Sequence, residues 1–151
     1  MKDKVKTLND LRRQCSRREY CTGDVLRKAE RALDGDSQQA RSILQVLIDE
    51  RYVDDRRYAA AYAREKSAIS GWGPAKIRYM LSAKGLDREL ITGALEDIDA
   101  GRAESRLVKL LETKRRALKD DPQWRLKLVR FAVARGYSYD QVKDTLETTK
   151  L

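Results

Sequence analysis

The chain has 151 residues, of which 41% are hydrophobic and 38% are charged, so its composition allows a thin apolar core but not a deep one. Its 33 Lys and Arg against 24 Asp and Glu give a net charge of +9, which favours a polyanionic partner: nucleic acid, an anionic membrane or an acidic protein face. No apolar run approaches the ~20 residues that span a bilayer, and the N-terminal residues lack the apolar stretch of a secretory signal, so we expect a cytoplasmic protein.

The chain is predicted to be almost wholly α-helical. Apolar residues recur at the helical spacing i, i+3 and i+4, and no useful length alternates as a strand would. In chain order, the positions with this spacing are Ile43, Leu44, Leu47 and Ile48; Ile77, Met80 and Leu81; Ile91, Ala94, Leu95 and Ile98; and Val142, Thr145 and Leu146. The only two prolines, Pro74 and Pro122, suit the first turns of helices.

A helix is predicted to begin after Asp54. Asp54 is a good N-cap residue, and Val53 before it can pack against Tyr58 as a hydrophobic staple. Asp55 adds a second negative charge at the positive end of the helix dipole. The two carboxylates could instead bind Mg²⁺, but capping explains both of them without a metal. We therefore expect no metal site and no cofactor.

A second helix is predicted to follow Gly73. Pro74 takes its first position, where the missing N–H costs nothing, and Trp72 can pack against Ile77 as a staple. Gly85 is predicted to end this helix. A third short helix then follows, so that three helices in series form one unit.

This unit is repeated along the chain. Residues 73–97 align with residues 124–148 at a constant offset of 51 residues. The aligned pairs are Ile77 with Leu128, Met80 with Phe131, Gly85 with Gly136, Leu86 with Tyr137, Asp87 with Ser138, Ile91 with Val142, and Leu95 with Leu146. Asp87 and Ser138 are the predicted N-caps, Ser138 with Gln141 as a capping box, and a fainter copy surrounds Ile43 and Leu47.

The predicted fold is therefore all-α, with tandem three-helix repeats that form a small curved helical solenoid. The expected units are residues 6–50, 51–100 and 101–151. A period near 50 residues is typical of repeat proteins in which each unit buries an apolar face against its neighbour. A compact nine-helix globule is the alternative.

No group of residues points to catalysis. The chain has no histidine, which removes the commonest general base, and it has no Walker-type glycine loop. Cys15 and Cys21 lie six residues apart, which is not a C-x-x-C spacing, and we expect them to be reduced and buried. The sequence therefore predicts a binding protein and not an enzyme.

Basic side chains are the candidate binding residues. Residues 101–151 carry 13 Lys and Arg against 7 Asp and Glu, so this third of the chain holds +6 of the net charge. The predicted contacts to nucleic acid or to a nucleoprotein filament are Arg57, Arg64, Lys76, Arg78, Lys84, Arg102, Arg106, Lys109, Arg116, Arg125, Lys127 and Arg130. One helix face is expected to carry Arg102, Arg106, Lys109 and Arg116. A solvated outer face is the alternative.

The aromatic residues are expected to serve mainly in the core. Tyr58 and Tyr62 lie one helical turn apart, and they could form a base-stacking platform only if both rings were exposed. Trp124 lies near a predicted helix start and could be a core residue or a contact.

A series of short motifs covers residues 8–98. It comprises Ser16-Arg17-Arg18-Glu19-Tyr20, then Leu47-Ile48, then Tyr52-Val53-Asp54-Asp55-Arg56-Arg57-Tyr58-Ala59, Tyr62 and Arg64, and finally Gly71, Gly73-Pro74, Ile77, Leu81 and Lys84-Gly85. In this order the motifs resemble the RecX family, the regulatory proteins that act on the recombinase RecA. In that family the middle unit has an acidic pair, an Arg, an aromatic-Ala pair, a Gly-x-Gly and an apolar helix that ends in Lys-Gly.

The resemblance implies a cytoplasmic helical protein, a monomer, that takes part in homologous recombination, DNA repair and the SOS response. It implies binding to the RecA filament on single-stranded DNA, also to double-stranded DNA, and inhibition of the ATPase and strand exchange of the filament. Two alternatives stay open. One is a transcription regulator of the helix-turn-helix type, and the other is a basic helical scaffold with no nucleic-acid role.

Overall fold

The computed structural model describes residues 3–151, so Met1 and Lys2 of the N-terminal segment considered above lie outside the described residues. Residues 3–151 form nine helices and no strands. The helices are α1 (Lys4–Arg17), α2 (Thr22–Ala32), α3 (Ser37–Asp49), α4 (Asp55–Ala68), α5 (Pro74–Ala83), α6 (Arg88–Glu96), α7 (Ala100–Ala117), α8 (Trp124–Ala134) and α9 (Tyr139–Thr149). In the part of the chain so described, no helix is both long and apolar enough to cross a membrane.

The helices group in threes, and each group has its own core. Ile43 and Leu47 lie in the core of α1–α3, Ile77 and Leu81 in that of α4–α6, and Leu128 in that of α7–α9. These five side chains are fully buried, as their helical spacing predicts. The all-α repeat fold is thus confirmed, and we call the three groups the first, second and third units.

Most of the predicted helix ends are confirmed. The Asp54 carboxylate accepts a hydrogen bond from the backbone N–H of Arg57 at 3.1 Å, and the Ser138 hydroxyl accepts one from Gln141. Gly73 is the N-cap of α5 and Pro74 is its first residue. These local contacts satisfy N–H groups that have no partner within their own helix.

Three details of the predicted ends are wrong. Pro122 lies in the turn before α8, not in the first turn of that helix, which begins at Trp124. Val53 packs in the first core and Tyr58 in the second, so they do not form the expected staple. Asp87 occupies the N-cap position of α6, but its side chain makes no capping hydrogen bond.

Glycines in the left-handed region end the middle helix of each unit. Gly35 follows α2 with φ +87°, Gly85 follows α5 with φ +84°, and Gly136 follows α8 with φ +100°. An L side chain is strained at such angles, so glycine is the residue that ends the helix here at the lowest cost.

Side chains join the first unit to the second. The Asp55 carboxylate accepts hydrogen bonds from the backbone N–H and the hydroxyl of Thr22, both at 2.8 Å, and so caps α2 from the neighbouring unit. The Lys84 ammonium lies 3.1 Å from the Asp24 carboxylate, and Arg57 pairs with Glu19. Cys21 of the first unit is fully buried in the core of the second.

Backbone groups join the second unit to the third. The N–H of Gly73 donates to the carbonyl of Arg135 at 2.7 Å, and the N–H of Ala75 donates to the carbonyl of Gly136 at 3.0 Å. The first turn of α5 is therefore capped by the carbonyl groups that end α8, so the positive end of one helix dipole meets the negative end of another.

The two junctions use equivalent positions. Thr22 and Lys84 at the first junction lie 51 residues before Gly73 and Arg135 at the second. At the second junction a Cβ on Gly73 would lie 2.5 Å from the carbonyl of Gly136, so only glycine permits this approach. Thr22 carries a side chain at that position, and side chains make the first junction instead of direct backbone pairing.

The second junction predicts that replacing Gly136 by Ala destabilises the fold much more than replacing the equivalent Gly85 by Ala. In Gly136→Ala the new Cβ would lie 2.5 Å from Cβ of Lys76, whereas a Cβ on Gly85 meets nothing within 4 Å. Both variants carry the left-handed strain of about 1–2 kcal/mol, and overpacking adds roughly 1–3 kcal/mol to Gly136→Ala alone. Urea unfolding measures the free energies, and equal losses in the two variants would contradict the junction.

Candidate nucleic-acid interface

The structure gives half of the predicted basic residues a partner inside the protein. Arg57 pairs with Glu19, Lys84 with Asp24 and Lys127 with Asp121, while Arg78, Arg106 and Arg116 donate to the hydroxyls of Thr92, Ser67 and Thr113. Their binding role stays a prediction, and a phosphate would have to compete with these contacts. The other half are Arg64, Lys76, Arg102, Lys109, Arg125 and Arg130, of which all but the half-buried Lys76 are exposed.

Arg57 and Lys84 have a clear structural role at the first junction. Besides its pair with Glu19, Arg57 donates to the carbonyls of Arg51 and Tyr52 at 3.1 and 3.2 Å. Burial alone would raise the pKa of Asp24, but hydrogen bonds from Lys84 and Cys21 outweigh it and leave that pKa below its ordinary value. The ion pair between Lys84 and Asp24 therefore stabilises the fold at pH values above 3.8, the ordinary pKa of Asp. This stabilisation is lost as the pH falls below that value and Asp24 becomes protonated.

Three of the four basic residues predicted to share a face of α7 do line one surface. Arg102, Arg106 and Lys109 surround an open depression of about 570 Å³ together with Asp99, Gly101 and Ser105. The Asp99 carboxylate at its edge caps α7 by accepting the backbone N–H of Arg102 at 2.8 Å. The guanidinium of Arg106 also donates to Ser67 of α4 at 2.8 Å, which holds α7 against the second unit. Arg102 and Lys109 are exposed and remain available to a ligand.

Another basic surface lies at the second junction, where cations sit over aromatic rings. The ammonium groups of Lys76 and Lys66 lie 4.4 and 4.9 Å from the ring centre of Trp72. Lys114 and Arg135 each lie 4.9 Å from the ring centre of Phe131. These distances are within the range of cation–π attraction, which orients a cation without neutralising it.

The two groups adjoin each other. Gly136, next to Arg135, is so close to Lys76 that a Cβ on it would touch the Cβ of Lys76. The guanidinium of Arg135 also donates to the carbonyl of Ser70, two residues before Trp72, at 3.2 Å. We call this surface the cation–aromatic row; its members are Lys66, Trp72, Lys76, Arg135, Phe131 and Lys114.

Among residues 3–151, no acidic side chain forms an ion pair with a member of this row. Across residues 3–151 the cations in ion pairs are Arg12, Arg13, Arg27, Arg57, Lys84 and Lys127, and no member of the row is among them. The row therefore combines positive charge without carboxylate partners and aromatic surface, which is the chemistry of a site for single-stranded nucleic acid.

Sequence reasoning missed most of the row. Only Lys76 was among the predicted contacts; Lys66, Lys114 and Arg135 were not. Phe131 and Arg135 lie four residues apart on α8, a spacing that places them on one helix face and could have indicated their contact. Lys66 and Trp72 meet across the loop between α4 and α5, and no helical spacing reveals that contact.

The tyrosines of α4 divide between core and surface. Tyr58 is only 6% exposed, whereas Tyr62 is half-buried and stacks on it with ring centres 5.9 Å apart. Tyr62 lines a groove of about 420 Å³ that also contains Arg18, Glu65 and Lys66. The core role predicted for Tyr58 is confirmed, and Tyr62 has one side open to the groove.

The carboxylates of Asp54 and Asp55 are both used as helix caps. Asp54 caps its own helix and Asp55 caps α2, as described above. No cluster of three metal-ligating side chains occurs among residues 3–151. Capping therefore explains both carboxylates of this acidic pair without a metal.

The fold and this surface define an all-helical tandem-repeat protein with a basic, aromatic-bearing face. Models of the RecX second three-helix domain and the RecX third three-helix domain match residues 54–95 and 103–146, which together are more than half of the chain. The chain belongs to the RecX family.

Similar proteins and structures agree with this assignment. The "Regulatory protein RecX" of Bacillus mycoides strain KBAB4 is 31% identical over 110 residues, and that of Bacillus cytotoxicus is 29% identical over the same length. Each match spans 72% of this chain and 41% of the relative, so the chain matches about two fifths of the length of these relatives.

Solved structures extend the similarity to nearly the whole chain. The crystal structure of RecX from Lactobacillus salivarius superposes with a TM-score of 0.84 at 25% identity and covers 96% of this chain and 95% of that one. A second structure, of a regulatory protein RecX, has a TM-score of 0.82 at 23% identity over 93% of this chain and 71% of that one, and it supports the fold.

The buried Tyr58 predicts a loss of stability at alkaline pH. Burial, with further contributions from Cys21 and Asp24, raises the pKa of Tyr58 from 10.0 to about 12. The folded state keeps the phenol protonated where the unfolded chain ionises it. Its contribution is therefore complete below pH 10 and falls between pH 10 and about 12, by at most roughly 2–3 kcal/mol.

Tyr58→Phe should lose less stability than the natural chain between pH 10 and about 12, and urea unfolding at several pH values measures the difference. Burial also raises the pKa of Tyr62, Tyr137, Cys15 and Cys21, so part of the alkaline decline should remain in the variant. Tyr79→Phe is the matched control because Tyr79 is 71% exposed, and it should keep the pH dependence of the natural chain. If the stability of Tyr58→Phe fell as steeply as that of the natural chain, the raised pKa of the Tyr58 phenol would be contradicted.

Proposed function

We propose that this protein is a non-enzymatic regulator that binds the RecA filament on single-stranded DNA and inhibits its ATPase, recombinase and strand-exchange activities. The observation that carries the proposal is that the chain of a RecX-family member presents two basic surfaces, one on α7 and one at the second junction. Both lie within or between the units that the RecX models match. Recombination, DNA repair and the SOS response are then the processes in which it acts.

Several features support a binding role. The chain contains no histidine, and its family bears the name of a regulatory protein. Contacts to phosphates position a protein on DNA without reading its sequence, which suits a partner that covers DNA of any sequence. We propose a cytoplasmic monomer that needs no cofactor and that touches both the recombinase and the DNA, double-stranded as well as single-stranded.

The distribution of charge argues against a helix-turn-helix transcription regulator. Such a protein reads the major groove with one recognition helix. Here the cations that lack carboxylate partners lie on several helices, with Arg64 and Lys66 on α4, Lys76 on α5, and Arg102 and Lys109 on α7. This spread favours contact along an extended polyanion.

The function is tested by the ATPase of RecA on single-stranded DNA, measured with and without the protein. We expect ATP hydrolysis to fall as the protein is added, up to saturation of the filament, and the protein alone to hydrolyse no ATP. An unchanged ATPase at saturating protein would contradict the proposal.

The α7 surface gives a second test, based on salt. Replacing Arg102 and Lys109 by Gln should weaken DNA binding and lower the slope of log K against log salt by about 1.4, at ~0.7 per phosphate contact on single strands. Arg106 is left unchanged because it also bonds Ser67.

The control variant replaces Lys119 and Lys143, two other exposed lysines of the third unit, by Gln. It removes the same charge and should keep a slope closer to that of the natural chain. If the two double variants had the same slope, specific phosphate contacts on α7 would be refuted and only overall charge would remain.

A further inference from the structure

We propose that the cation–aromatic row is a stacking site for unpaired nucleobases, with Trp72 and Phe131 as the rings and the four cations as phosphate ligands. The inference rests on the proposed function, since that function brings single-stranded DNA to the protein. It assigns the DNA to the second junction and states how the strand is held.

Trp72 is held rigidly, as a stacking ring must be. Its ring meets that of Tyr62 edge to face at 6.4 Å, and Tyr62 in turn stacks on the buried Tyr58. Trp72 also packs against the second core while remaining half-buried. An aromatic ring that is fixed before binding loses little conformational entropy when a base stacks on it.

Phe131 is the only phenylalanine of the chain, and core packing does not account for its position. It is half-buried and lies outside the third core cluster, although its helix contributes Leu128 and Ala132 to that core. Instead its ring lies beneath Lys114 and Arg135. A ring placed among cations at a surface is available to a ligand that has both negative charge and a flat apolar face.

The first unit carries a similar group. Arg18 and Lys28 lie 4.7 and 4.9 Å from the ring centre of Tyr20. Arg18 also lines the groove that contains Tyr62 and Lys66, so this group continues toward the cation–aromatic row. Each unit thus has at least one ring with two cations within 5 Å of its centre, namely Tyr20, Trp72 and Phe131, an arrangement that suits a strand running along the repeat. The third unit also has Arg115 at 3.8 Å from the ring centre of Trp124.

The acidic residues near the row limit where the phosphates bind. Glu19 and Glu65 line the same groove as Lys66, but Glu19 is already paired with Arg57. Lys66 is therefore the least positive end of the row, and we assign the strongest phosphate contacts to Lys76, Arg135 and Lys114.

A single strand fits this chemistry better than a duplex or an acidic peptide. In a duplex the base faces are stacked on one another and cannot reach protein rings, whereas in a single strand each base has a free face. An acidic peptide would satisfy the cations but would leave the rings without a partner. Either of these ligands is an outcome that would overturn the inference.

The test uses the full chain with Trp124→Phe, which leaves Trp72 as the only tryptophan. An oligothymidylate of about 16 nucleotides is added in the absence of RecA, and tryptophan fluorescence is recorded. We expect quenching on binding. An abasic oligonucleotide of equal length and charge should quench little and should bind at least about 25-fold more weakly, since two bases are expected to stack and each adds a factor of roughly 5 to 150.

Variants assign the effect to the rings. Trp72→Leu and Phe131→Leu, in the natural background, should each weaken binding of the oligothymidylate and leave the affinity for the abasic strand nearly unchanged. Tyr79→Leu is the matched control because Tyr79 is an exposed aromatic residue outside the row, and it should change neither affinity. Circular dichroism checks that each variant keeps its helix content.

The comparison of the two strands needs no ring variant, so it decides the inference even if a variant fails to fold. Equal affinities for the oligothymidylate and the abasic strand, tighter binding of a duplex, or binding of an acidic peptide at Trp72 would each overturn it. If RecA inhibition persisted in that case, the proposed function would stand without the stacking site. If the protein bound the oligothymidylate by stacking but did not change the ATPase of RecA, only the proposed function would be refuted.

Discussion

The arrangement of the second and third units depends on one close contact between two glycines. At this junction the N-cap residue Gly73 and Ala75 in the first turn of α5 donate their N–H groups to the carbonyls of Arg135 and Gly136, which end α8, with N–O distances of 2.7 and 3.0 Å. Buried N–H groups without a partner are costly, and here the neighbouring unit supplies the partners that a side-chain cap supplies elsewhere. The contact requires glycine on both sides, because a Cβ on Gly73 or on Gly136 would lie within 2.5 Å of the opposite backbone or side chain.

The same contact builds the candidate binding surface. It places Lys76 of α5 beside Gly136, and therefore beside Arg135, although these residues are some 60 positions apart in the chain. Trp72 and Phe131 then lie on the two sides of the junction, each beneath its own pair of cations. The binding surface is thus a property of two units together. At the first junction the equivalent cation, Lys84, is instead paired with Asp24, which explains why two equivalent positions serve different purposes.

The sequence allowed the fold to be predicted well, because helix caps and apolar spacing are local. Asp54, Gly73 and Ser138 cap helices as predicted, and the offset of 51 residues correctly aligned Gly85 with Gly136. The site was predicted less well, because it depends on contacts between units. Lys84 and Lys76 look alike in the sequence because both are lysines. Only the structure shows that Asp24 pairs with Lys84. The bond from Asp55 to Thr22 likewise joins residues 33 positions apart, and local pattern assigned Asp55 only to its own helix.

Amide hydrogen exchange at the second junction tests this account most directly. The N–H groups in the first turn of a helix usually exchange fast, and those of Arg88 and Glu89 in α6 provide the comparison because Asp87 makes no capping bond. The account predicts that the N–H groups of Gly73 and Ala75 exchange slowly, since carbonyls of the third unit accept them, and that Gly136→Ala abolishes this protection. Exchange of Gly73 and Ala75 as fast as that of Arg88 and Glu89 would contradict the junction and the binding surface that it builds.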